Sequence, residues 1–308
     1  MSIRRMINGL RTLPLLDQCP IPVGAAWSLR KLSSLYSGPC IRVRRSLDNA
    51  VTDIGFSNGK IDSAALLAFT GSGDAFVTTF YDQSDHGQNL TQAQNANQPQ
   101  IVSTGVIITE KGKPAIRFDG NNDYLEVLTS NEYFKTLHCE KALVGIVTRV
   151  GYSENLNIAC GFIDTGGALN SQTGYTLFYD NRSIFNRMNS ICNVITNSNI
   201  SPVAQTPREI FLPQKQNSLI NLVDVNNPLA NNRSTLILNN KNPIKINGST
   251  TPPSLLSSTR TLKVGVVHTV NLISYHLGTM QEIVIYLTDQ FNTSNFIRSN
   301  INSYYHIY

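Results

Sequence analysis

The sequence predicts an all-β protein, a β-sandwich (jelly roll) of two antiparallel sheets with a leader helix and a C-terminal helix. Short apolar runs alternate with polar turn clusters, and the chain holds 33 asparagines and 20 glycines, which are turn residues. Hydrophobic residues make up 41% of the 308 residues and charged residues 15%, so a large core can be buried. We therefore expect one sandwich domain over residues 25–308, preceded by an arm of residues 1–24.

The N-terminal third contains the least regular predicted elements. The arm mixes arginines with leucines, and its three prolines oppose a continuous helix, so we expect an attachment segment. Apolar spacing over residues 25–36 predicts the leader helix, which Gly38 and Pro39 end. A short helix over residues 64–69 is capped by Asp62 or Ser63.

The remaining pattern is that of strands. A hairpin is predicted from residues 106–108 and 115–118 around Lys111 and Gly112. Residues 289–305 predict the closing helix, with Asp289 and Thr293 as caps. Other strands are predicted over residues 41–44, 75–81, 142–149, 175–179, 218–223, 234–238, 261–267 and 282–287.

Net charge, apolar runs and cysteine spacing limit the classes of binding partner, metal site and cellular location that the sequence suggests. A net charge of +5 over this length does not indicate nucleic acid or an anionic membrane, and no apolar run is long enough to span a bilayer. The five cysteines are scattered without a CxxC pair, which argues against a disulfide framework and a zinc cluster. The N-terminus lacks the apolar core of a signal peptide, so we expect synthesis in a cytoplasm.

The first candidate binding loop follows the strand over residues 75–81. It contains an aromatic ring and several amide and carboxylate groups, which suit the face and the hydroxyls of a sugar. The alternative is that these polar groups fix turns at a corner of the sandwich. The candidate glycan-binding residues here are Tyr81, Asp82, Gln83, Asp85 and Asn89.

The second candidate loop offers the same combination in Asn121, Asn122, Asp123 and Tyr124. With Asp119 it begins like a calcium loop, but Tyr124 stands where the sharp turn requires glycine. A tight turn explains the same residues. We therefore expect no cofactor and no metal, with calcium as the alternative.

No catalytic residue is predicted. Hydrolysis of a glycoside needs two facing carboxylates, and Asp180, Asp224 and Glu282 on predicted strands fit turns or ion pairs equally well. Arg42, Arg44 and Arg45 either grip an acidic glycan or remain solvated and loosely paired beside Asp48 and Asp53.

An ordered series of segments carries a resemblance: residues 27–30, 36–46, 53–56, 81–84 and 113–120, resuming over 278–308. The chain resembles phage and bacterial surface proteins of the concanavalin A-like lectin/glucanase (laminin-G-like) class. More distantly it is similar to the catalytic domain of α-L-arabinofuranosidase B. The resemblance implies a concanavalin A-like sandwich.

The first of these resemblances implies a virion-associated fibre, spike or receptor-binding protein that binds host-surface glycans. Its partners would be those glycans and other virion proteins, reached through the arm, and we expect a homo-oligomer with a trimer among the candidates. The location would be the virion, or otherwise an extracellular surface. A structural capsid decoration protein is one alternative.

The other alternative is a glycoside hydrolase like the arabinofuranosidase. That family's adjacent cysteine pair is absent here. Its nucleophilic Glu is not found near residues 179–182, nor its acid/base Asp near residues 265–268. These departures disfavour hydrolysis.

Overall fold

The computed structural model describes the N-terminal half of the protein almost continuously and the remainder in shorter stretches. The described residues are 13–18, 22–128, 133–134, 142–150, 159–164, 174–180, 187–193, 203–205, 218–224, 234–239, 244–246, 261–269, 272–288, 290 and 293–308.

Strands dominate the described residues, and three α-helices accompany them. The helices are α1 (Leu15–Gln18), α2 (Ser63–Thr70) and α3 (Ser294–Tyr305). The strands are β1 (Ala25–Ser28), β2 (Ile41–Arg45), β3 (Val51–Ile54), β4 (Phe56–Ser57), β5 (Lys60–Ile61), β6 (Ala75–Phe80), β7 (Leu90–Thr91), β8 (Gln100–Ser103), β9 (Val106–Ile107), β10 (Thr109–Glu110), β11 (Lys113–Pro114), β12 (Ile116–Asp119), β13 (Leu125–Val127), β14 (Ala142–Val150), β15 (Ala159–Asp164), β16 (Gly174–Asp180), β17 (Arg187–Asn193), β18 (Val203–Gln205), β19 (Ser218–Asp224), β20 (Ser234–Leu238), β21 (Ile244–Ile246), β22 (Lys263–Val264), β23 (Val266–Thr269), β24 (Leu272–Tyr275) and β25 (Leu277–Tyr286).

The strand pairings trace two layers, and every pairing among the described strands is antiparallel. In the first layer β21, β20, β19, β14 and β25 are successive neighbours, and β1 and β12 share the other edge of β25. In the second, β3, β2, β6, β7, β13, β22, β15, β16, β17 and β18 follow one another. Strand β8 pairs with both β6 and β12 and so links the layers. The fold is sandwich-like, as the turn spacing predicted.

Two hydrophobic clusters hold the layers together. The main cluster contains side chains of both layers, such as Trp27, Val43, Val77 and Ile283. The second cluster joins the opposite face of β1, β14 and β25 to α3 and α1. Because β25 contributes alternate residues to both clusters, its last eight residues are all buried.

The predicted leader helix is wrong. Residues 25–28 form β1 instead, in register with residues 282–285 of β25. All four residues of β1 are buried, and the Trp27 indole donates to the Gln88 carbonyl at 2.8 Å. Pairing with a strand far away in sequence therefore outweighs the local helical spacing.

Other local predictions are confirmed in part. The Asp62 side chain accepts from the Ala65 amide at 3.0 Å and caps α2. Lys111 and Gly112 both have positive φ in the turn that joins β10 to β11, so the predicted turn is confirmed. The predicted strand bounds are wrong: the hairpin pairs residues 109–110 with 113–114, whereas β9 pairs with β8, and β12 pairs with β25 and β8. Thr293 occupies the N-cap position of α3, but its side chain makes no capping hydrogen bond, so this predicted cap is not confirmed; Asp289 lies outside the described residues.

Parts of the predicted arm, residues 13–18 and 22–24, are described, and they pack on the sandwich. Leu15 is fully buried in the second cluster, and Asp17 accepts from the Ser34 amide at 2.9 Å. The domain boundary after residue 24 stays a prediction. Among the described residues, no helix is long and apolar enough to cross a membrane.

Candidate functional site

The first predicted loop is built around the Asp82 carboxylate, which is only 4% exposed. Asp82 Oδ1 accepts from the backbone amides of Ala26 and Ser84, both at 2.9 Å. Asp82 Oδ2 accepts from the Gln88 amide at 3.0 Å and from the Ser84 hydroxyl at 2.7 Å. Four donors thus occupy this carboxylate, and it fastens β1 to the loop that follows β6.

Gln83 has a similar position. Its Oε1 accepts from the Leu32 amide at 2.8 Å, and its Nε2 donates to the carbonyls of Ser28 and Arg30 at 2.8 and 3.1 Å. The side chain is 1% exposed, so it fixes the irregular segment that follows β1.

The other residues of this loop are more accessible. Asn89 Oδ1 accepts from the Asp82 amide at 2.9 Å, and the Tyr81 hydroxyl donates to Asp53 at 2.8 Å. Burial, and then the bond to Asp53, raise the pKa of Tyr81 to about 12. Asp85 is exposed at a positive φ of 66°. Glycan binding by these five residues stays a prediction, with Asp82 and Gln83 committed to internal bonds.

The second predicted loop is a tight turn that Asp119 organises. Asp119 Oδ1 accepts from the amides of Asn121 and Asn122 at 2.8 and 3.2 Å. The Asp123 carboxylate closes the turn from the other side, since its Oδ2 accepts a hydrogen bond from the Asp119 amide at 3.0 Å. Burial, and then the Asp119 charge, raise the pKa of Asp123 to about 7. Tyr124 is half-buried at the end of the turn.

Within the described ranges, no group of three or more His, Cys, Asp or Glu side chains is placed to hold a metal ion. Calcium binding at this turn stays untested.

A groove of about 560 Å³ lies on the second layer and reaches Tyr124 of the second predicted loop. Its walls come from five neighbouring strands and from the segment after β7. Its lining is mostly hydroxyl, amide and charged, and includes Arg42, Thr79, Thr91, Gln92, Tyr124 and Glu126. Such side chains donate and accept hydrogen bonds in the way that sugar hydroxyls require.

The strand register explains how these residues meet. Arg42 pairs with Thr79, Thr79 with Thr91 and Thr91 with Glu126. The register continues from Glu126 to Lys263 on β22 and from Lys263 to Asp164 on β15. Directly paired residues lie on the same face of a sheet, so Arg42, Thr79, Thr91, Glu126 and Lys263 form one polar row across the second layer, and Asp164 is the backbone register partner of Lys263.

One end of the groove has an aromatic wall. The Lys263 ammonium lies 4.7 Å from the centroid of the Tyr124 ring and 3.5 Å from Glu126 Oε2. The Thr261 hydroxyl donates to the same Glu126 oxygen at 3.1 Å. Glu126 is therefore held in place while it still lines the groove.

The other end of the groove contains Arg44, whose guanidinium lies 4.8 Å from the centroid of the Phe76 ring. Arg44 Nε donates to Gln98 Oε1 at 2.7 Å, and Nη1 donates to Asn49 Oδ1 at 2.8 Å. By contrast, Arg42 pairs with Asp53 at 3.1 Å, and Arg45 with Asp48 at 2.7 Å, as the sequence suggested for exposed arginines.

Sequence reasoning missed the groove as a whole. Only Tyr124 was among the predicted binding residues, and Arg42 and Arg44 were noted with the acidic-glycan alternative. The one sequence signal is the polar alternation of β6 and β13, which does not say which strands are neighbours.

Glu282, one of the carboxylates considered for hydrolysis, lies in a different place. It is fully buried beneath α3, where Oε2 and Oε1 accept from Arg30 at 2.7 and 2.8 Å. The Ser28 and Tyr305 hydroxyls donate to Oε2 at 2.7 and 3.2 Å. Asp180 and Asp224 lie at the ends of β16 and β19.

Comparison with a family model and with curated proteins finds similarity to arabinofuranosidases over part of the chain. Residues 16–149 match the model of the α-L-arabinofuranosidase B catalytic domain. An α-L-arabinofuranosidase of Hypocrea jecorina is 42% identical over 72 residues, 23% of this chain and 14% of that protein. A probable α-L-arabinofuranosidase B of Aspergillus flavus is 37% identical over 104 residues, 30% of this chain and 21% of the relative. The aligned part is thus a small share of the relatives' length.

Solved structures agree on the fold. An arabinofuranosidase in complex with arabinofuranosyl-α-1,2-xylobiose superposes with a TM-score of 0.64 at 17% identity, covering 93% of this chain and 64% of that one. An α-L-arabinofuranosidase soaked with a cyclic sulfate inhibitor gives a TM-score of 0.62 at 16% identity, with the same coverage. The chain therefore shares its fold with arabinofuranosidases across most of its length.

These findings overturn the expectation of a phage protein. The family model and the curated relatives named above are arabinofuranosidases, the relatives being fungal, and none of these is a fibre, spike or receptor-binding protein. The predicted virion partners and virion location are wrong for the same reason. The error arose because the segments that carry the resemblance build a sandwich framework, which several protein classes share.

Proposed function

We propose that this chain is a glycoside hydrolase that acts on α-L-arabinofuranosyl groups of glycans. The observation that carries the proposal is the match of residues 16–149 to a catalytic-domain model, and not to a binding module. The shared fold supports it, because the likeness extends through the strands beyond that segment. A concanavalin A-like jelly roll is the finer form of the fold that we propose.

The groove on the second layer is the proposed substrate site. Every lining residue lies between Arg42 and Leu128, and so within the segment that matches the family model. The polar row supplies partners for hydroxyl groups, and Tyr124 offers an aromatic edge at one end. The groove volume falls within the range of small-molecule sites.

Hydrolysis needs a proton donor and a second carboxylate on either side of the glycosidic bond, about 5 to 10 Å apart. Glu126 lines the groove, and the strand register places Asp164 two strands away, as the backbone partner of Lys263. Two strands that flank a common neighbour are about 10 Å apart, which is within the separation that hydrolysis requires of the two carboxylates. We therefore propose Glu126 and Asp164 as the pair. Asp82 and Glu282 are unsuitable because internal donors occupy both carboxylates.

The direct test is release of 4-nitrophenol from 4-nitrophenyl α-L-arabinofuranoside, a compound soaked into a mutant arabinofuranosidase of similar fold. We expect turnover by the wild-type chain, and a loss of at least about 100-fold in kcat in Glu126→Gln and in Asp164→Asn. Asp48→Asn is the matched control, because it neutralises an exposed carboxylate that neither lines the groove nor belongs to a predicted binding loop.

A folded wild-type chain that releases no nitrophenol, and no arabinose from arabinofuranosyl-xylobiose, would refute the function. Turnover that survives both groove substitutions would retain the function and refute the proposed pair. Asp180→Asn then tests the strand-end carboxylate of β16 as the alternative.

A further inference from the structure

Arg44 is the most deeply buried charge among the residues that line the groove. Arg44 as a whole residue is 8% exposed. The side chain of Arg42, two positions earlier on β2, is 47% exposed. Both arginines line the groove, so Arg44 is enclosed by protein on one side and faces the groove on the other.

The hydrogen bonds of Arg44 leave donors in reserve. A guanidinium carries five N–H groups. Three accepting atoms contact Arg44: Gln98 Oε1, Asn49 Oδ1 and, at 3.4 Å, the Asn95 carbonyl. All three acceptors are neutral, and no ion pair among the described residues includes Arg44. Two N–H groups therefore have no acceptor among the described residues, and the positive charge contacts the Phe76 ring and neutral acceptors there but no carboxylate.

This arrangement is costly without an anion. Burial lowers the pKa of Arg44 from its usual value, which shows that its surroundings disfavour the charge. Arg42 and Arg45 each have an aspartate as partner. An arginine held rigidly by two amide side chains and a ring has the preorganised fork that recognises carboxylates.

Neighbouring groups indicate that the anion belongs to a sugar. Gln98, which accepts from Arg44, donates to the Gln92 carbonyl at 3.0 Å. Gln92 in turn donates to the Tyr124 carbonyl at 3.1 Å. A continuous network therefore joins Arg44 to the aromatic end of the groove. Its Gln98 and Gln92 side chains are buried and bonded internally. The partners for sugar hydroxyls are therefore the half-buried Thr79 and Thr91 side chains that line the same groove.

We propose that the groove is a binding site for an acidic glycan, in which the carboxylate of a hexuronic acid residue pairs with Arg44. The two free N–H groups of the guanidinium bind the carboxylate, and neighbouring sugar units extend along the row toward Tyr124. This binding requires no hydrolysis, so it stands apart from the activity proposed above.

The test compares trigalacturonic acid with its methyl ester on the wild-type chain by isothermal titration calorimetry. The ester keeps the sugar rings and replaces each negative carboxylate with a neutral methyl ester. We expect the acid to bind at least about 10-fold more tightly than the ester at low salt, and the ratio to fall as salt is added. Inorganic sulfate is the competing probe, since displacement by millimolar sulfate with equal affinity would assign the site to small anions and overturn the proposal.

Variants locate the contact. Arg44→Gln should reduce the preference for the acid to within about twofold, and Arg44→Lys should restore only part of it, because an ammonium keeps the charge without the fork. Arg45→Gln is the matched control, because Arg45 lies on the same strand, pairs with Asp48 and does not line the groove, and it should keep the preference. If Arg44→Gln does not fold, the comparison of Arg44→Lys with the wild type decides. Equal binding of acid and ester, or a preference lost in Arg45→Gln instead, overturns the proposal.

Discussion

Replacing Glu282 with Gln removes the counter-charge of Arg30 from the space beneath α3, where Glu282 is fully buried and the Arg30 side chain is 8% exposed. The substitution keeps the shape of the side chain but leaves the guanidinium without its charged partner. The Ser28 and Tyr305 hydroxyls, which donate to the same oxygen, lose a charged acceptor as well. The change is therefore confined to electrostatics and hydrogen bonding.

The expected cost follows from the burial of the pair. Removing one partner of a buried ion pair costs about 3 to 5 kcal/mol, because the other charge stays in a medium that solvates it poorly. Unfolding entropy is about 2.1 cal/mol/K per residue near 60 °C, so for a chain of 308 residues this loss lowers the melting midpoint by about 5 to 8 °C.

Thermal unfolding followed by circular dichroism measures this shift. The double variant Arg30→Met/Glu282→Gln should be less destabilised than Glu282→Gln, since it no longer buries an unpaired charge. Arg42→Gln breaks an exposed pair and should move the midpoint by less than about 2 °C. The reasoning is refuted if Glu282→Gln melts as close to the wild type as Arg42→Gln does.

Two further outcomes are expected at the predicted loops. Asp82→Ala should cost about 2 to 4 kcal/mol in urea unfolding, because it strands buried donors, whereas Asp85→Asn should stay within about 0.5 kcal/mol; similar losses in both would contradict the assignment of Asp82 to the framework. The raised pKa of Asp123, about 7, means that the folded chain binds more protons than the unfolded one between about pH 4 and pH 7. The free energy of unfolding should fall as the pH rises through that window. Asp123→Asn should remove the part of this pH dependence that Asp123 contributes, so it should stabilise the protein more at pH 8 than at pH 4.5. An unchanged pH dependence in Asp123→Asn would disprove the raised pKa.

The sequence predicted those parts of the fold that local chemistry decides. Asp62 caps α2 because its carboxylate accepts a hydrogen bond from the amide three residues later, which has no partner inside the helix. This local bond does not depend on where the helix packs in the fold. Residues 234–238 form β20 with the predicted bounds, since alternation and β-branched residues suffice there. The helix prediction for residues 25–28 was wrong because their apolar spacing fits both a helix and a buried strand. Pairing with β25, about 250 residues later, decides for the strand.

The candidate site was harder to predict for a related reason. Each wall of the groove lies on a different strand, and the residues of the polar row are neighbours only through strand register. Arg42 and Arg44 look alike in sequence, yet one pairs with Asp53 and the other is enclosed without an acidic partner among the described residues. Burial, which decides their chemistry, is a property of the assembled layers.

The arrangement of the two layers separates substitutions that test the substrate site from substitutions that test the stability of the fold. Glu126 and Thr91 lie on strands whose alternate residues, Val127 and Leu90, enter the main cluster, so groove side chains point away from the core that holds the fold. Asp82 and Glu282, by contrast, connect elements distant in sequence inside the protein. Substitutions at Glu126 and Thr91 should therefore change ligand binding or turnover at nearly constant stability, while those at Asp82 and Glu282 should change stability first. A loss of turnover without a loss of stability is the signature that assigns a carboxylate to the substrate site.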